Sequence, residues 1–207
     1  MSKVSFMLAV ALVASVPAFA QQAQPAPQPA AQPNPAPNSV NGRRENQQDR
    51  IANGVQSGQL TAGETKRLEG REANLNQEVH ADRTANGGPL TPQERQQINR
   101  QQNNVSRSIY QDKHNAAQAH YGNNEVGQRR ENQQDRIAQG IRSGQMTAGE
   151  AARTEGREQN INHSIAADRA ANGGTLTPQE RQNINRRQNG VSHQIYRQKH
   201  NGAHQAR

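Results

Sequence analysis

The chain contains 207 residues, of which 30% are hydrophobic and only 2% aromatic, and it carries 25 Lys and Arg against 17 Asp and Glu. It has no Cys, which excludes disulfide frameworks, thiolate zinc sites and cysteine nucleophiles. Beyond residue 20 the aromatic side chains are three tyrosines, Tyr110, Tyr121 and Tyr196. A composition this poor in apolar residues excludes an ordinary large globular core.

Residues 1–20 have the pattern of a secretory signal peptide. Lys3 precedes an apolar run at residues 4–16, and the small-x-small sequence Ala-Phe-Ala ends at Ala20. A membrane anchor is the alternative, but a spanning helix needs about 20 apolar residues and this run is shorter. We therefore predict cleavage between Ala20 and Gln21, export to the periplasm or the medium, and no membrane span in the processed chain.

Residues 21–42 are predicted to form a disordered linker. The segment is rich in Pro, Ala and Gln and has no charge before residue 43. Proline fixes φ and removes a backbone donor, so the segment favours extended polyproline II conformations. It would act as a spacer or as an inert exported tail.

Two copies of one unit make up the rest of the chain, at residues 43–121 and 129–207, with a linker at 122–128. The ten residues from Arg43 to Ala52 recur unchanged at residues 129–138, a spacing of 86 residues. About two-thirds of the aligned positions are identical, as in a tandem duplication.

Each unit contains two capping boxes, in which a Thr hydroxyl and the Glu three residues later start a helix. The four pairs are Thr61 and Glu64, Thr91 and Glu94, Thr147 and Glu150, and Thr177 and Glu180. Glycines that favour helix ends follow at Gly54, Gly140, residues 87–88 and residues 173–174. These signals predict three helices in each unit, at about 43–53, 61–84 and 91–116 in the first. The predicted fold is all-α, with two tandem three-helix repeat units after a disordered Pro-rich arm.

The apolar residues of these helices form a narrow, coiled-coil-like seam. Steps of seven and four connect Leu68, Leu75 and Val79 in the second helix and Ile98, Val105 and Ile109 in the third. Heptad positions 72 and 102 carry Glu and Gln instead of apolar residues. With Tyr110 counted among the core residues, one unit has too few apolar side chains to be more than marginally stable. We expect its helices to be tightened by the other unit, by dimerisation or by a ligand.

Residues 58–64 resemble the second half of an EF-hand loop, with Gly at the sixth position, an aliphatic residue at the eighth and Glu at the twelfth. The same frame recurs at residues 88–94, 144–150 and 174–180. The front half departs from the EF-hand pattern, since it lacks most of the oxygen ligands. The resemblance implies a degenerate calcium-responsive module. Its candidate ligands are Asp82, Asn86, Glu94, Asp168, Asn172 and Glu180.

The motifs LTAGE, LTPQE and MTAGE at the predicted helix starts are similar to the LTxxQ motifs of small helical periplasmic stress chaperones. Glu replaces the Gln of that family, and the tandem repeat and the Pro-rich arm depart from its pattern. This resemblance implies an alternative role as a holdase-like chaperone.

A small cationic and aromatic patch is predicted near the end of each third helix. Tyr, Lys and His at i, i+3 and i+4 share a helix face. The six residues are Tyr110, Lys113, His114, Tyr196, Lys199 and His200. They could bind a partner, or the cations could simply complement the helix dipole.

No catalytic constellation is found, and no cofactor is predicted. Acidic residues stand beside Arg, as in Arg71-Glu72 and Asp82-Arg83, which predicts polar helix faces and no dry pocket that would perturb a pKa. We therefore expect a protein that is not an enzyme.

Removal of Lys3 with the first 20 residues leaves 24 Lys and Arg against 17 Asp and Glu, a net charge of +7. This excess favours anionic envelope components or unfolded polypeptide as partners. Specific nucleic-acid binding is disfavoured, because the basic residues are interleaved with acidic ones and stacking aromatics are few. The sequence thus predicts an exported structural or interaction protein of the cell envelope, with a homodimer as one possible assembly.

Overall fold

The structure is a computed structural model that describes residues 36 and 38–205. The predicted signal peptide, its cleavage site and most of the Pro-rich linker lie outside the described residues. Within the described part all regular structure is helical, which confirms the predicted all-α class. The helices are α1 (Val40–Gln56), α2 (Ala62–Ala85), α3 (Pro92–Lys113), α4 (Glu125–Ser143), α5 (Ala148–Ala171) and α6 (Pro178–Lys199).

The first helix of each repeat begins earlier than the sequence predicts. Ser39 caps α1 by accepting a 3.0 Å hydrogen bond from the Gly42 amide, so residues 40–42 belong to the helix and not to the linker. Asn124 caps α4 in the same way, through the Gly127 amide at 3.0 Å. Residues 125–128 are therefore helical as well, because each helix starts at the polar N-cap that lies upstream of the repeat's identical stretch.

All four predicted Thr/Glu pairs form capping boxes. In the first, the Thr61 amide donates to the Glu64 carboxylate at 2.9 Å, and the Glu64 amide donates to the Thr61 hydroxyl at 3.3 Å. Pro92 and Pro178 follow their capping Thr, where a helix needs no backbone donor. Local side-chain chemistry therefore fixes the starts of α2, α3, α5 and α6.

Gly54 and Gly140 do not end their helices as predicted. Each lies inside its helix, where a Cβ atom would come within 2.6 Å of Leu60 or Met146. The left-handed residues that leave these helices are Gly58 (φ 72°) and Gly144 (φ 70°). Close packing against the following chain, and not backbone conformation, therefore requires glycine at the two earlier positions.

The two repeats pack on each other helix by helix. Within a repeat the third helix contacts the first and second, so α3 packs on α1 and α2 while α6 packs on α4 and α5. Between the repeats, α2 packs along α5 and α1 packs along α4. The first and second helices of each repeat thus meet their own equivalents, as in an isologous dimer interface, whereas α3 and α6 contact only helices of their own repeat. The sequence leaves three ways open to tighten the helices of one unit. Packing against the other unit is the one that the structure contains.

The larger of two apolar clusters runs through both repeats, and the smaller one lies in the first repeat. The larger cluster includes Ile51 and Val55 of α1 together with Ile137 and Ile141 of α4, all fully or almost fully buried. Tyr110 does not belong to it, because its side chain is 61% exposed. Its inclusion in the core was wrong, since the seam of α3 ends at its neighbour Ile109. No helix in the described part is long and apolar enough to cross a membrane.

Candidate functional site

Of the six buried glutamates on α2 and α5, the two helices that join the repeats, four are almost fully enclosed. Glu69 and Glu72 of α2 and their equivalents Glu155 and Glu158 of α5 are at most 1% exposed. The spacing of three residues places each pair on one helix face. Glu69 also lies near enough to Glu155 for their charges to interact across the repeats. These four side chains are called the carboxylate layer below.

The carboxylate layer contradicts the expectation that the acidic residues lie on polar helix faces beside Arg. Glu72 occupies a heptad position that faces the neighbouring helices, and packing follows that position and not the side chain's polarity. The same holds for Gln102, which is fully buried in α3. Arg71 and Glu72 are neighbours in the sequence, but Arg71 is exposed and Glu72 is buried.

Two adjacent glutamines in the unchanged stretch connect this layer to the rest of each repeat. The Gln48 amide donates to Glu69 at 3.2 Å, and the neighbouring Gln47 amide donates to the Gln102 carbonyl at 2.7 Å. The second repeat makes the same two bonds from Gln134 to Glu155 at 3.1 Å and from Gln133 to Gln188 at 2.7 Å. Sequence analysis missed this role, although the identity of the stretch 43–52 with 129–138 was a visible signal.

An arginine from the first helix of each repeat faces the layer. The charge of Arg44 interacts with Glu72, and the charge of Arg130 interacts with Glu158. In the second repeat Arg130 also lies over the ring of Tyr121, 5.1 Å from its centre. Residues beyond the layer add further charges, among them Glu45, Arg83, Asp135 and Arg169.

The carboxyl groups of the layer have strongly raised pKa values. Burial raises the pKa of Glu72 and of Glu158 to about 7, against the opposing effect of the two arginines. Burial raises the pKa of Glu155 to about 8, with a further rise from Glu158. The pKa of Glu69 is also raised well above its usual value, first by burial and then by its acidic neighbours. The layer therefore holds protons at neutral pH, contrary to the expectation that no carboxyl group would be perturbed.

Several oxygens of the layer have no hydrogen-bond donor among the described residues. Both carboxyl oxygens of Glu72 are in this state, as is one oxygen each of Glu69, Glu155 and Glu158. A buried acceptor without a donor costs about 1 to 3 kcal/mol. A proton on a carboxyl group converts one acceptor into a donor and removes the charge, so protonation is the form that the surroundings favour.

The candidate calcium residues lie at the ends of α2 and α5 and at the starts of α3 and α6. The Asn86 amide donates to Glu94 at 2.7 Å and the Asn172 amide donates to Glu180 at 2.8 Å. Both glutamates also complete capping boxes, and these hydrogen bonds lower their pKa values. In the described part no three His, Asp or Glu side chains are placed to hold a metal ion. Calcium binding stays a prediction.

The predicted Tyr, Lys and His patches separate into two parts. The ring of Tyr110 stacks on that of His114 with centres 4.2 Å apart, and Tyr196 stacks on His200 at the same distance. The lysines turn away toward the end of the first helix of their repeat, where Lys199 donates to the Gln139 side chain at 2.8 Å. What remains on the surface is an exposed tyrosine–histidine pair in each repeat.

Comparison with known proteins gives no relative for this fold or site. No protein-family model, no curated protein and no solved structure matches the chain.

Proposed function

We propose that this protein is an exported, non-catalytic interaction protein of the cell envelope that binds an anionic envelope component through its two tyrosine–histidine pairs. Export is supported by the signal-peptide pattern of residues 1–20, and an anionic partner is supported by the excess of Lys and Arg.

The observation that carries the proposal is the duplicated exposure of tyrosine. Tyr110 and Tyr196 are 61% and 58% exposed, and they are the exposed large hydrophobic side chains of the described part. Each tyrosine ring is held by its stack on His114 or His200. The Nδ1 atom of each histidine lies 2.7 Å from the backbone carbonyl oxygen of the stacked tyrosine. Amphipathic rings held rigid at a surface bind partners at a low entropic cost.

Two equivalent sites on one body suit a repetitive partner. When the first pair is bound, the second acts at a high effective concentration, so a polymer or a membrane surface is bound more tightly than a single copy of its unit. The excess of Lys and Arg in the chain would attract an anionic partner from solution.

The holdase and calcium alternatives have less support. A holdase needs apolar surface, and in the described part the large apolar side chains other than the two tyrosines are buried or partly buried. The calcium candidates Glu94 and Glu180 already accept hydrogen bonds from capping amides. Catalysis by the carboxylate layer is disfavoured because its side chains are almost fully enclosed.

Replacing both tyrosines is expected to weaken binding more than the two single changes suggest. Binding of residues 21–207 to vesicles of phosphatidylglycerol and phosphatidylcholine would be compared for the wild type, Tyr110→Ala, Tyr196→Ala and the double variant. We expect a loss of about fivefold for each single change and of about 100-fold for the double change.

His163→Ala is the matched control, because it removes an exposed histidine that has no tyrosine stacked on it. It should leave the affinity unchanged. Equal affinity of the double variant and the wild type would refute the proposal, as would equal binding to vesicles of phosphatidylcholine alone.

A further inference from the structure

The face formed by α5 and α6 lacks acidic residues that its equivalent, the face formed by α2 and α3, contains. In the first repeat Glu78 accepts a 2.7 Å hydrogen bond from a glutamine of α3, and Asp112 forms a 3.7 Å ion pair with Arg67. At the equivalent positions the second repeat has Ser164 and Gln198. The acidic side chains that α5 and α6 do contain are buried or lie near the end where α5 leads into α6. The middle of this face therefore carries no acidic side chain.

The same face has additional arginines. Arg187 and Arg197 stand where the first repeat has Gln101 and Gln111. Arg187 lies at the boundary of the two helices, where its side chain donates to the Ser164 hydroxyl at 2.6 Å. Neutral residues thus replace acidic ones and arginines replace neutral ones, so this face of the second repeat is more positive than that of the first.

Four exposed arginines on this face are called the arginine strip below. Arg153 and Arg157 are one turn apart on α5, and Arg186 and Arg197 are about three turns apart on one side of α6. Their guanidinium groups make no hydrogen bond or ion pair with other described residues, whereas Arg67, the equivalent of Arg153, is held by its ion pair. No Asp or Glu occurs in the residues that the structure does not describe, so the chain supplies no further carboxylate side chain to neutralise the strip.

A glycine interrupts the row of side chains between the two arginines of α6. Gly190 is exposed inside the helix, and a Cβ atom at this position would have no neighbour within 4 Å. Its backbone is not in the left-handed region. Glycine in a helix costs about 1 kcal/mol relative to alanine, and neither packing nor backbone conformation requires it here. The missing side chain leaves the helix backbone open to close approach by a bound molecule.

The arginine strip suits a linear phosphate polymer. Arg186 and Arg197 are about 16 Å apart along the helix axis, so a bound chain must be extended to reach both. Guanidinium groups bind phosphate oxygens through paired hydrogen bonds, and a row of them neutralises successive phosphates of one chain. A membrane surface would also require apolar side chains to insert, and the strip has none.

We infer that the second repeat binds a linear polyphosphate chain along the arginine strip, with the chain passing over Gly190. This site goes beyond the function proposed above, because it belongs to one repeat and does not use the tyrosine–histidine pairs.

The test is calorimetric titration of residues 21–207 with short-chain polyphosphate at several salt concentrations, with pyrophosphate as the probe that is too short to span the strip. The wild type should bind polyphosphate saturably, and pyrophosphate should bind about tenfold more weakly because it contacts fewer arginines. If each of the four arginines neutralises one phosphate, the logarithm of the binding constant should fall with the logarithm of the salt concentration with a slope of about −3.

The double variant with Arg153→Gln and Arg157→Gln should bind polyphosphate about tenfold more weakly, with a slope that is shallower by about 1.4. Its matched control combines Arg67→Gln and Arg71→Gln, which removes the same charge from the first repeat and should change the affinity by less than about twofold. Gly190→Asn introduces the residue that the first repeat has at the equivalent position. It should weaken binding about threefold without lowering the melting temperature, because asparagine is no worse than glycine in a helix.

Absence of saturable polyphosphate binding by the wild type would overturn the inference. Equal losses from the two double variants would overturn it as well, since they would show only a general attraction to positive charge. Vesicles of phosphatidylglycerol and phosphatidylcholine test the membrane alternative. If the variant at Arg153 and Arg157 lost binding to vesicles but kept its binding to polyphosphate, the strip would be a membrane site and not a polyphosphate site. A folded Gly190→Asn variant with wild-type affinity would show that the polymer does not pass over α6.

Discussion

Raising the pH from about 5 to about 8 is expected to lower the free energy of unfolding of this protein by several kcal/mol. The four carboxyl groups of the layer have folded-state pKa values above the ordinary value of 4.5. Their contribution is fully present below that value, and for Glu72, Glu155 and Glu158 it is lost as the pH rises through about 7 to 8. Each group that releases its proton on unfolding contributes up to about 1.4 kcal/mol per pH unit.

Glu155→Gln is the variant that tests whether the carboxylate layer causes this pH dependence. Glutamine keeps the shape and can accept the hydrogen bond from Gln134, but it has no charge to bury. The variant should be more stable than the wild type above about pH 7, by a few kcal/mol, and its stability should depend less on pH. Urea denaturation across the pH range measures both effects. Glu131→Gln, at an exposed position of α4, is the control and should follow the wild-type profile.

The loss of stability at low pH has a different cause. Hydrogen bonds at the helix starts lower the pKa values of Glu64, Glu94 and Glu180, so their stabilising contribution is lost as the pH falls through those values. Stability should therefore be greatest at about pH 5, where the capping carboxylates are charged and the layer is neutral. A profile that rises steadily from pH 5 to pH 8 would contradict this assignment.

Ile137→Ala is expected to destabilise the whole described body and not one repeat alone. Ile137 is fully buried in the cluster that contains residues of both repeats. Loss of a buried Ile side chain to Ala costs about 2 to 5 kcal/mol. Because α4 packs along α1 and α5 along α2, both repeats should still unfold in one transition at a lower temperature.

Calorimetry and circular dichroism together measure this effect. Tyr196→Ala removes a larger side chain from an exposed position of the same repeat, and it should change the stability by less than about 0.5 kcal/mol. Two separate transitions, with only one displaced by Ile137→Ala, would show that the repeats are independent units.

Local sequence signals predicted the helical class and the capped helix starts. Thr61 and Glu64 are three residues apart and need no tertiary information to form their capping box. The positions of Gly54 and Gly140 were misread for the same reason, because a glycine required by a neighbouring side chain looks like a helix end in the sequence.

Burial of the layer could not be predicted from one helix alone. Position 72 fits a heptad seam, but a seam is buried only if other helices cover it, and α2 packs on α5 of the second repeat as well as on α1 and α3. Glu72 was therefore taken as a surface residue, while Tyr110 was taken as core.

The most direct test is a titration of the glutamate side-chain carboxyl groups by carbon-13 NMR on residues 21–207, with assignment through single Glu→Gln variants. Midpoints of about 7 are expected for Glu72 and Glu158 and of about 8 for Glu155, and the midpoint of Glu69 should lie well above 4.5. Midpoints near 4.5 for all four would show that these side chains are exposed to water and that the repeats do not close over them.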